Sequence, residues 1–445
     1  MGLPALGVTH EHRQSCQPCA VDHRRDLCCG GGRHCSDSHW PGQRREFPPL
    51  DTLDDHALDD DPVAHHEPGY TVQRDDIRRQ LVGRHVRNRD MVADVAFEQQ
   101  RQSELSRRHG RVMTGTITAG TITAEAERVY SLSLRAIGTH VRLLTPDATV
   151  LDAARVMLAD RLESLDRVAS RFRTDSELAQ INRASRIAAG EGRDVLRLSV
   201  SQELAELLAH ALEVESLTGG LATPTVGNAL IAAGYDADID AVRHRAGTTR
   251  SGDRAGDADA HSECVLQGST LTVSAGATLD LGSSAKAFAA HQWSTEIAGR
   301  VGAGILLDLG GDLAYAGPSP SGGWRVGVVD WTGTTRQVVV ADGGQSFATS
   351  STKVRVWQTG QRRRHHIIDP RTGSPARTPW AQVTCACAAT QWANAASTAS
   401  VILGVNAPEW LSDRGIPALL IAHNGAETRV AGWPPATATD AGAQR

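Results

Sequence analysis

The apolar pattern of this 445-residue chain changes between residues 112 and 128, and that change decides which part can build a core. Residues 1–112 hold 20 Leu, Ile, Val and Phe, about 18%, under the roughly 20% below which a chain tends not to bury enough surface to fold. No helical or alternating period emerges there. The same stretch carries 10 of the 18 histidines and five of the eight cysteines. Cys16-Gln-Pro-Cys19 is one half of a structural zinc site, but Cys28, Cys29 and Cys35 supply no familiar second half. We therefore expect residues 1–112 to be a disordered or mis-assigned extension, with Met113 as an alternative start, and residues 113–430 to hold the folded domain.

Regular periods begin at Val129. Across 148–172, Leu151, Ala154, Leu158, Leu162, Leu165, Val168 and Phe172 recur at three- and four-residue steps with charged residues between them, which predicts an amphipathic helix. A second helix is expected over 201–218, with Leu204, Leu207, Leu208, Ala211 and Leu212 inward and Gly219-Gly220 as its stop. Short β-prone runs follow at 271–273, 304–309, 324–329, 337–340, 353–357, 365–368, 382–387 and 418–422, and a last helix fits 392–403. Helices and many short strands without strict alternation indicate an α+β fold with mixed, short-stranded sheets and packed helices. Residues 241–262 are polar without period and are expected to be a surface insertion; 431–445 should be a loose tail.

Charge and length narrow the function. With 46 basic against 51 acidic residues, net −5, a nucleic-acid partner held by bulk charge is disfavoured. No run approaches the roughly 18 apolar residues of a membrane helix, so no membrane span is expected. No secretory signal is visible at Met1 or after Met113, and Cys264, Cys385 and Cys387 suggest no disulfide framework; a cytoplasmic protein is the expectation.

Four islands break local rules. Leu279-Asp280-Leu281-Gly282-Ser283-Ser284-Ala285-Lys286 ends an apolar strand in an acid, then small residues, then a helix start. That start carries one of only two lysines beside 44 arginines. Small residues let backbone approach a ligand, a helix N-terminus favours phosphate, and a lysine can neutralise it; an ordinary strand-to-helix turn is the alternative. Leu307-Asp308-Leu309-Gly310-Gly311-Asp312 places acids around a double glycine, which is either a turn or a hydroxyl or cation site. His365-His366-Ile367-Ile368-Asp369-Pro370-Arg371-Thr372-Gly373 offers a general base, and since strand neighbours point to opposite faces at most one imidazole should reach a given site. In Asn394-Ala395-Ala396-Ser397-Thr398, positions i and i+4 share a helix face, so an amide oxygen and a hydroxyl converge, as suits a hard cation; close helix packing through small residues is the alternative.

In this order the islands resemble the ApbE family of FAD:protein FMN transferases, from about residue 133 to 422. Ala136-Ile137-Gly138-Thr139 is similar to the family's opening strand, Arg171 to Leu178 with Asn182 to its Ser-Glu-Leu segment, Thr218 to Gly227 to its Asp-Pro-Thr-Val-Gly loop, and Ala348-Thr349-Ser350-Ser351 to its Ala-Thr-Ser-Gly. The resemblance implies an ApbE-like fold related to the T-fold group. It also implies a Mg²⁺-dependent reaction in which FAD is split at its pyrophosphate, AMP leaves, and FMN is joined to a Thr or Ser hydroxyl of a client protein. By family position, Ser283, Asn394 and Thr398 would hold Mg²⁺. Ile137, Phe172, Ala222, Thr223, Asp280, Lys286 and Ile368 would contact FAD. His366 would take the acceptor proton and Asp369 would support its loop.

Three positions depart from the family pattern. Asn394 stands where an aspartate is common, which removes a charge from the metal site; Asp308 or Asp312 could replace it. Thr223 replaces a loop aspartate and Ile137 a methionine. The same residues also admit FAD hydrolysis to FMN and AMP, or flavin binding without turnover.

Overall fold

Eight antiparallel strands form the central sheet, and their order in it is their order in the chain: β1 (Tyr130–Ala136), β2 (Thr139–Thr145), β3 (Ile305–Leu309), β4 (Asp312–Ala316), β5 (Ser346–Ser351), β6 (Trp380–Cys387), β7 (Ala418–Ala422) and β8 (Glu427–Val430). This computed structural model describes residues 128–245, 261–341 and 344–436, and the backbone of Ala93–Val95 and Thr118–Ala119. The expected zinc ligands and most of the expected disordered extension lie outside the described residues. The backbone of Ala93–Val95, within that extension, pairs in parallel with 326–328.

The remaining elements are insertions between consecutive strands. Between β2 and β3 come α1 (Leu151–Ala169), α2 (Glu177–Gly190), α3 (Gln202–Leu217) and α4 (Ala285–Val301), with a three-stranded sheet of Val195–Ser199, Thr270–Ser274 and Cys264–Gln267. Helix α5 (Thr390–Leu403) joins β6 to β7. In α1 the buried positions Ala154, Leu158, Leu162 and Leu165 follow the predicted stripe, and Asp147 caps the preceding turn by accepting the Thr149 N–H at 2.8 Å. Helix α3 ends as expected: Gly219 and Gly220 take φ of 62° and 83°, and the Gly220 N–H reaches the Glu215 carbonyl at 2.7 Å. Together α1–α4 cover β1–β3 with a core that includes Leu143, Leu158, Leu207, Leu279 and Ile297.

Several elements escape the apolar pattern for identifiable reasons. Helix α2 buries Asn182 and Ser185 beside Leu178 and Ile181, so its inward stripe is half polar; Ser176 caps it by accepting the Ala179 N–H at 3.0 Å. Strand β5 is buried throughout although its sequence is Ser-Phe-Ala-Thr-Ser-Ser. Its hydroxyls are satisfied across strands and by α5, as where Thr349 Oγ1 donates to Thr384 Oγ1 at 2.8 Å. The run 353–357 is strand only from Val356, and 365–368 is two pieces, a hairpin strand Arg362–His365 and a two-residue strand Ile368–Asp369.

Helix α5 is almost wholly buried against β5 and β6. Ala393, Ala396 and Ala399 are the small residues that permit this, facing Ala348, Val383 and Cys385. The opposite sheet face packs on the hairpin Trp324–Val329 and Thr335–Ala341 through Phe347, Leu419 and Ile421. The first residues of the expected loose tail are packed: Trp433 is buried, sits edge-on to Phe347 at 6.3 Å, and donates from Nε1 to Gln337 Oε1 at 3.0 Å, and 437–445 lie outside the described residues. The expected insertion is likewise shortened, because Ile239–His244 is a helix with Val242 buried. Among the described residues no helix is long and apolar enough to cross a membrane.

Candidate functional site

A pocket opens where the α1–α4 insertion meets the β5–α5 layer. Its wall includes seven of the residues expected from sequence: Ala222, Thr223, Asp280, Ser283, His366, Ile368 and Thr398. They come from four separate chain segments.

One wall is the loop after α3. The Gly227 N–H donates to the Thr278 carbonyl at 3.1 Å and the Asp280 N–H to the Pro224 carbonyl at 2.8 Å, so the loop is stapled to the extended segment before Asp280, where the expected strand has already ended at Ser274. Only glycine fits at 227, since a Cβ there would lie 2.4 Å from the Thr278 carbonyl oxygen. Asn182 holds that segment from behind: Nδ2 donates to the Leu279 carbonyl at 2.8 Å and Oδ1 accepts the Leu279 N–H at 2.7 Å. Thr223 turns inward on its own loop, its Oγ1 lying 2.9 Å from Thr225 Oγ1 and accepting the Thr225 N–H at 3.2 Å.

Asp280 reaches the pocket and is also buried in an ion pair. Its Oδ2 accepts Arg171 Nε at 2.6 Å and its Oδ1 accepts the Gly282 N–H at 2.6 Å. Arg171 lies 4.5 Å from the Phe172 ring centroid and 5.2 Å from that of Tyr235, and donates from Nη2 to the Tyr235 carbonyl. Tyr235 in turn stacks on Trp357 and accepts at its hydroxyl from Arg355 Nη1. Tyr235 and Arg355 went unremarked in sequence, and Arg171 was named only as the start of a family-like segment, because nothing local marks one of 44 arginines as buried.

The far wall is the histidine segment. His366 and Ile367 lie between two short strands, and His366 is buried on the pocket side. His365 points away, its Nε2 donating to the Ala376 carbonyl at 3.0 Å while Nδ1 accepts the Ile367 N–H at 3.3 Å. Burial pushes the His365 imidazole down to about 4, which keeps it neutral. Asp369 lies outside the pocket wall: Arg371 holds its carboxylate through Nε and Nη2, each at 2.8 Å, and its carbonyl accepts the Gly373 N–H. Its place is therefore the turn that carries the histidine, not the reacting centre.

The floor is α5 against β5. Thr398 Oγ1 lies 3.0 Å from Ser350 Oγ, which lies 2.9 Å from Ser397 Oγ. Asn394, one turn earlier, does not line the pocket; it is fully buried and donates from Nδ2 to Asp312 Oδ1 at 3.1 Å, and its Oδ1 has no hydrogen-bond partner among the described residues. Among those residues no group of three or more His, Cys, Asp and Glu side chains is placed to hold a metal. A cation here would depend on neutral oxygens, and an orphaned Asn394 oxygen one helical turn before the Thr398 hydroxyl suits a small hard ion.

Three further expected contacts fall outside the pocket wall. Ile137 is not in a strand but at the β1–β2 turn, with φ of 48° followed by Gly138 at 67°, a two-residue turn closed by Arg355 Nη2 on the Gly138 carbonyl at 2.6 Å. Phe172 packs edge-on to Tyr235 at 5.5 Å. Lys286 is buried in the first turn of α4, just after Ser283 and Ser284.

A protein of Treponema pallidum named FAD:protein FMN transferase is 30% identical over 297 residues, covering 62% of this chain and 79% of that protein. One of the same name from Klebsiella pneumoniae is 22% identical over 323 residues, 71% of this chain and 90% of that protein. In fold, the ApbE protein of Thermotoga maritima superposes with a TM-score of 0.58 at 24% identity, over 68% of this chain and 97% of that one. The flavinyl transferase ApbE of Pseudomonas stutzeri, in its apo form, gives 0.53 at 19% identity over 70% and 98%. The profile of the ApbE family matches residues 137–420, well over half of the sequence, and the chain belongs to that family.

Proposed function

We propose that this protein is an FAD:protein FMN transferase, and the observation that carries the reading is the convergence of Asp280, Ser283, His366 and Thr398 on one pocket. The client's Thr or Ser hydroxyl attacks the phosphorus on the FMN side of the FAD pyrophosphate. A new P–O bond forms, the bond to the bridging oxygen breaks, and AMP leaves with that oxygen. Phosphoryl transfer of this kind depends mainly on positioning and charge stabilisation. His366, on the pocket wall, takes the proton of the attacking hydroxyl, and the Asp369–Arg371 turn fixes where that imidazole sits. The apolar residues Leu221, Ala222 and Ile368 give the flavin a dry surface. Lys286, in the first turn of α4, adds positive charge on the pyrophosphate side.

Mg²⁺ belongs to the proposal, held by the Ser283 carbonyl, the Asn394 amide oxygen and the Thr398 hydroxyl, where it would neutralise pyrophosphate charge. A cytoplasmic client bearing a Thr or Ser acceptor motif is the partner we propose.

The test combines the full chain with FAD, Mg²⁺ and a client domain carrying a threonine acceptor motif. Flavin fluorescence on the client after denaturing electrophoresis, with AMP released in equal amount, is the expected result. AMP without labelled client would assign the protein to FAD hydrolysis, and bound FAD with neither product would leave only flavin binding.

A further inference from the structure

Within the metal site just proposed, on which this inference rests, the amide of Asn394 leaves a charge to be explained. A divalent cation among an amide oxygen, a hydroxyl and a backbone carbonyl meets no anion from the protein, and hard cations gain most of their affinity from ligand charge. The structure brings the Asp312 carboxylate against Asn394. Asp312 opens β4 directly after Gly310 and Gly311, whose φ of 72° and 95° turn the chain back toward α5. Its side chain is fully buried and its Oδ1 accepts Asn394 Nδ2 at 3.1 Å. Asp308, on the other side of the double glycine, points instead into the turn, where its Oδ1 accepts the Gly311 N–H at 2.8 Å.

The contact also settles which way the amide faces. With its oxygen toward Asp312, two acceptors would oppose each other across a buried gap. With Nδ2 toward Asp312, Asn394 Oδ1 is turned away and stays without a hydrogen-bond partner in a residue with no exposure. A buried acceptor left in that state is costly unless something else occupies it. Thr398 lies four residues on, on the same helix face, with its hydroxyl in the pocket.

We infer that Asp312 is a positioning residue of the metal site: it locks the Asn394 amide with its oxygen toward the cation and supplies, from the neighbouring strand, the negative charge that the helix lacks. Acid and amide form one unit across α5 and β4, so the site's charge depends on a residue that need not touch the ion.

Mn²⁺ titration of the full chain, followed by the loss of free Mn²⁺ electron spin resonance and by Mg²⁺ competition, tests this. FAD affinity in EDTA and the thermal midpoint serve as readouts that do not involve the ion. Asp312→Asn, which keeps shape and removes charge, is expected to weaken Mn²⁺ binding at least about tenfold, the size of effect seen when an outer partner of a metal ligand is lost, with FAD affinity in EDTA changed less than about threefold. An Asp312→Asn protein that binds Mn²⁺ as the wild type does overturns the inference and leaves the transferase reading standing. A wild type that binds no Mn²⁺ overturns the metal site itself. Should Asp312→Asn fail to fold, the exchange variant Asp312→Asn/Asn394→Asp restores one acid and one amide across the same contact. It should bind Mn²⁺ within about threefold of the wild type, and a folded exchange variant without Mn²⁺ binding overturns the assignment.

Discussion

Arg171 and Asp280 meet with side chains only 7% and 8% exposed, and their pairing shapes the pocket wall more than either residue could alone. Removing one member leaves a buried charge uncompensated. Arg171→Met should therefore destabilise the protein by about 3–5 kcal/mol, and adding Asp280→Asn should recover part of that loss. Urea unfolding of Arg171→Met, Asp280→Asn and the double variant measures both; a double variant whose loss is the sum of the two single losses would show that the pair is not coupled. His366 is a test of chemistry rather than of folding. His366→Ala should leave FAD affinity within about threefold while transfer falls by roughly 10²–10⁴. Retained transfer would mean that another group takes the proton. Asp308 reports on pH, because burial raises its carboxyl to about 6. The folded protein then holds a proton that the unfolded chain releases near 4, so this group's contribution to stability is present at low pH and is lost as pH rises from about 4 to 6. Compared with Asp308→Asn, the wild type should gain stability on going from pH 7 to pH 4.5, and parallel urea midpoints at the two pH values would refute it.

At the level of elements, the pocket depends on two joints between segments distant in sequence. The first is the staple of 224–227 onto 278–280. Gly227→Ala forces a Cβ to 2.4 Å from the Thr278 carbonyl, backbone that cannot swing aside. Overpacking of this kind costs about 1–3 kcal/mol, and because the loop must move outward FAD affinity should fall with it. A variant with unchanged denaturation midpoint and FAD affinity would show that the joint tolerates separation. The second joint is β5 with α5, where Ser350, Ser397 and Thr398 share hydroxyl contacts. A strand made of serine and threonine reads as loop in a linear sequence, because its compensation by α5 lies some 47 residues away.

For the whole molecule, chain order and sheet order coincide, and the large insertion between β2 and β3 carries half of the pocket. The sheet face opposite α5 is closed partly by the C-terminal residues, where Trp433 packs on Phe347 and Gln337 Nε2 donates to the Pro434 and Pro435 carbonyls. Trp433→Ala should cost about 3–5 kcal/mol, as other buried tryptophans do. Equal thermal midpoints of Trp433→Ala and the wild type would show that this packing adds nothing to stability. The two long amphipathic helices, the strand runs 324–329 and 418–422, and the four islands were legible because each is written in residues three, four or two apart, a distance over which helix and strand geometry converts sequence directly into a face. Strand alternation led us to expect at most one of His365 and His366 at a given site; in the structure the strand ends at His365, and His366 lines the pocket from the segment beyond it. Only the tertiary structure decided that Asp280 is shared with Arg171, that Asp369 holds a turn, that Ile137 occupies a left-handed turn position, and that Asp312 rather than Asp308 lies against Asn394. Those are contacts between strands and helices far apart in the chain, and burial of a charge or an amide acquires its partner only when packing brings the second residue within hydrogen-bond reach.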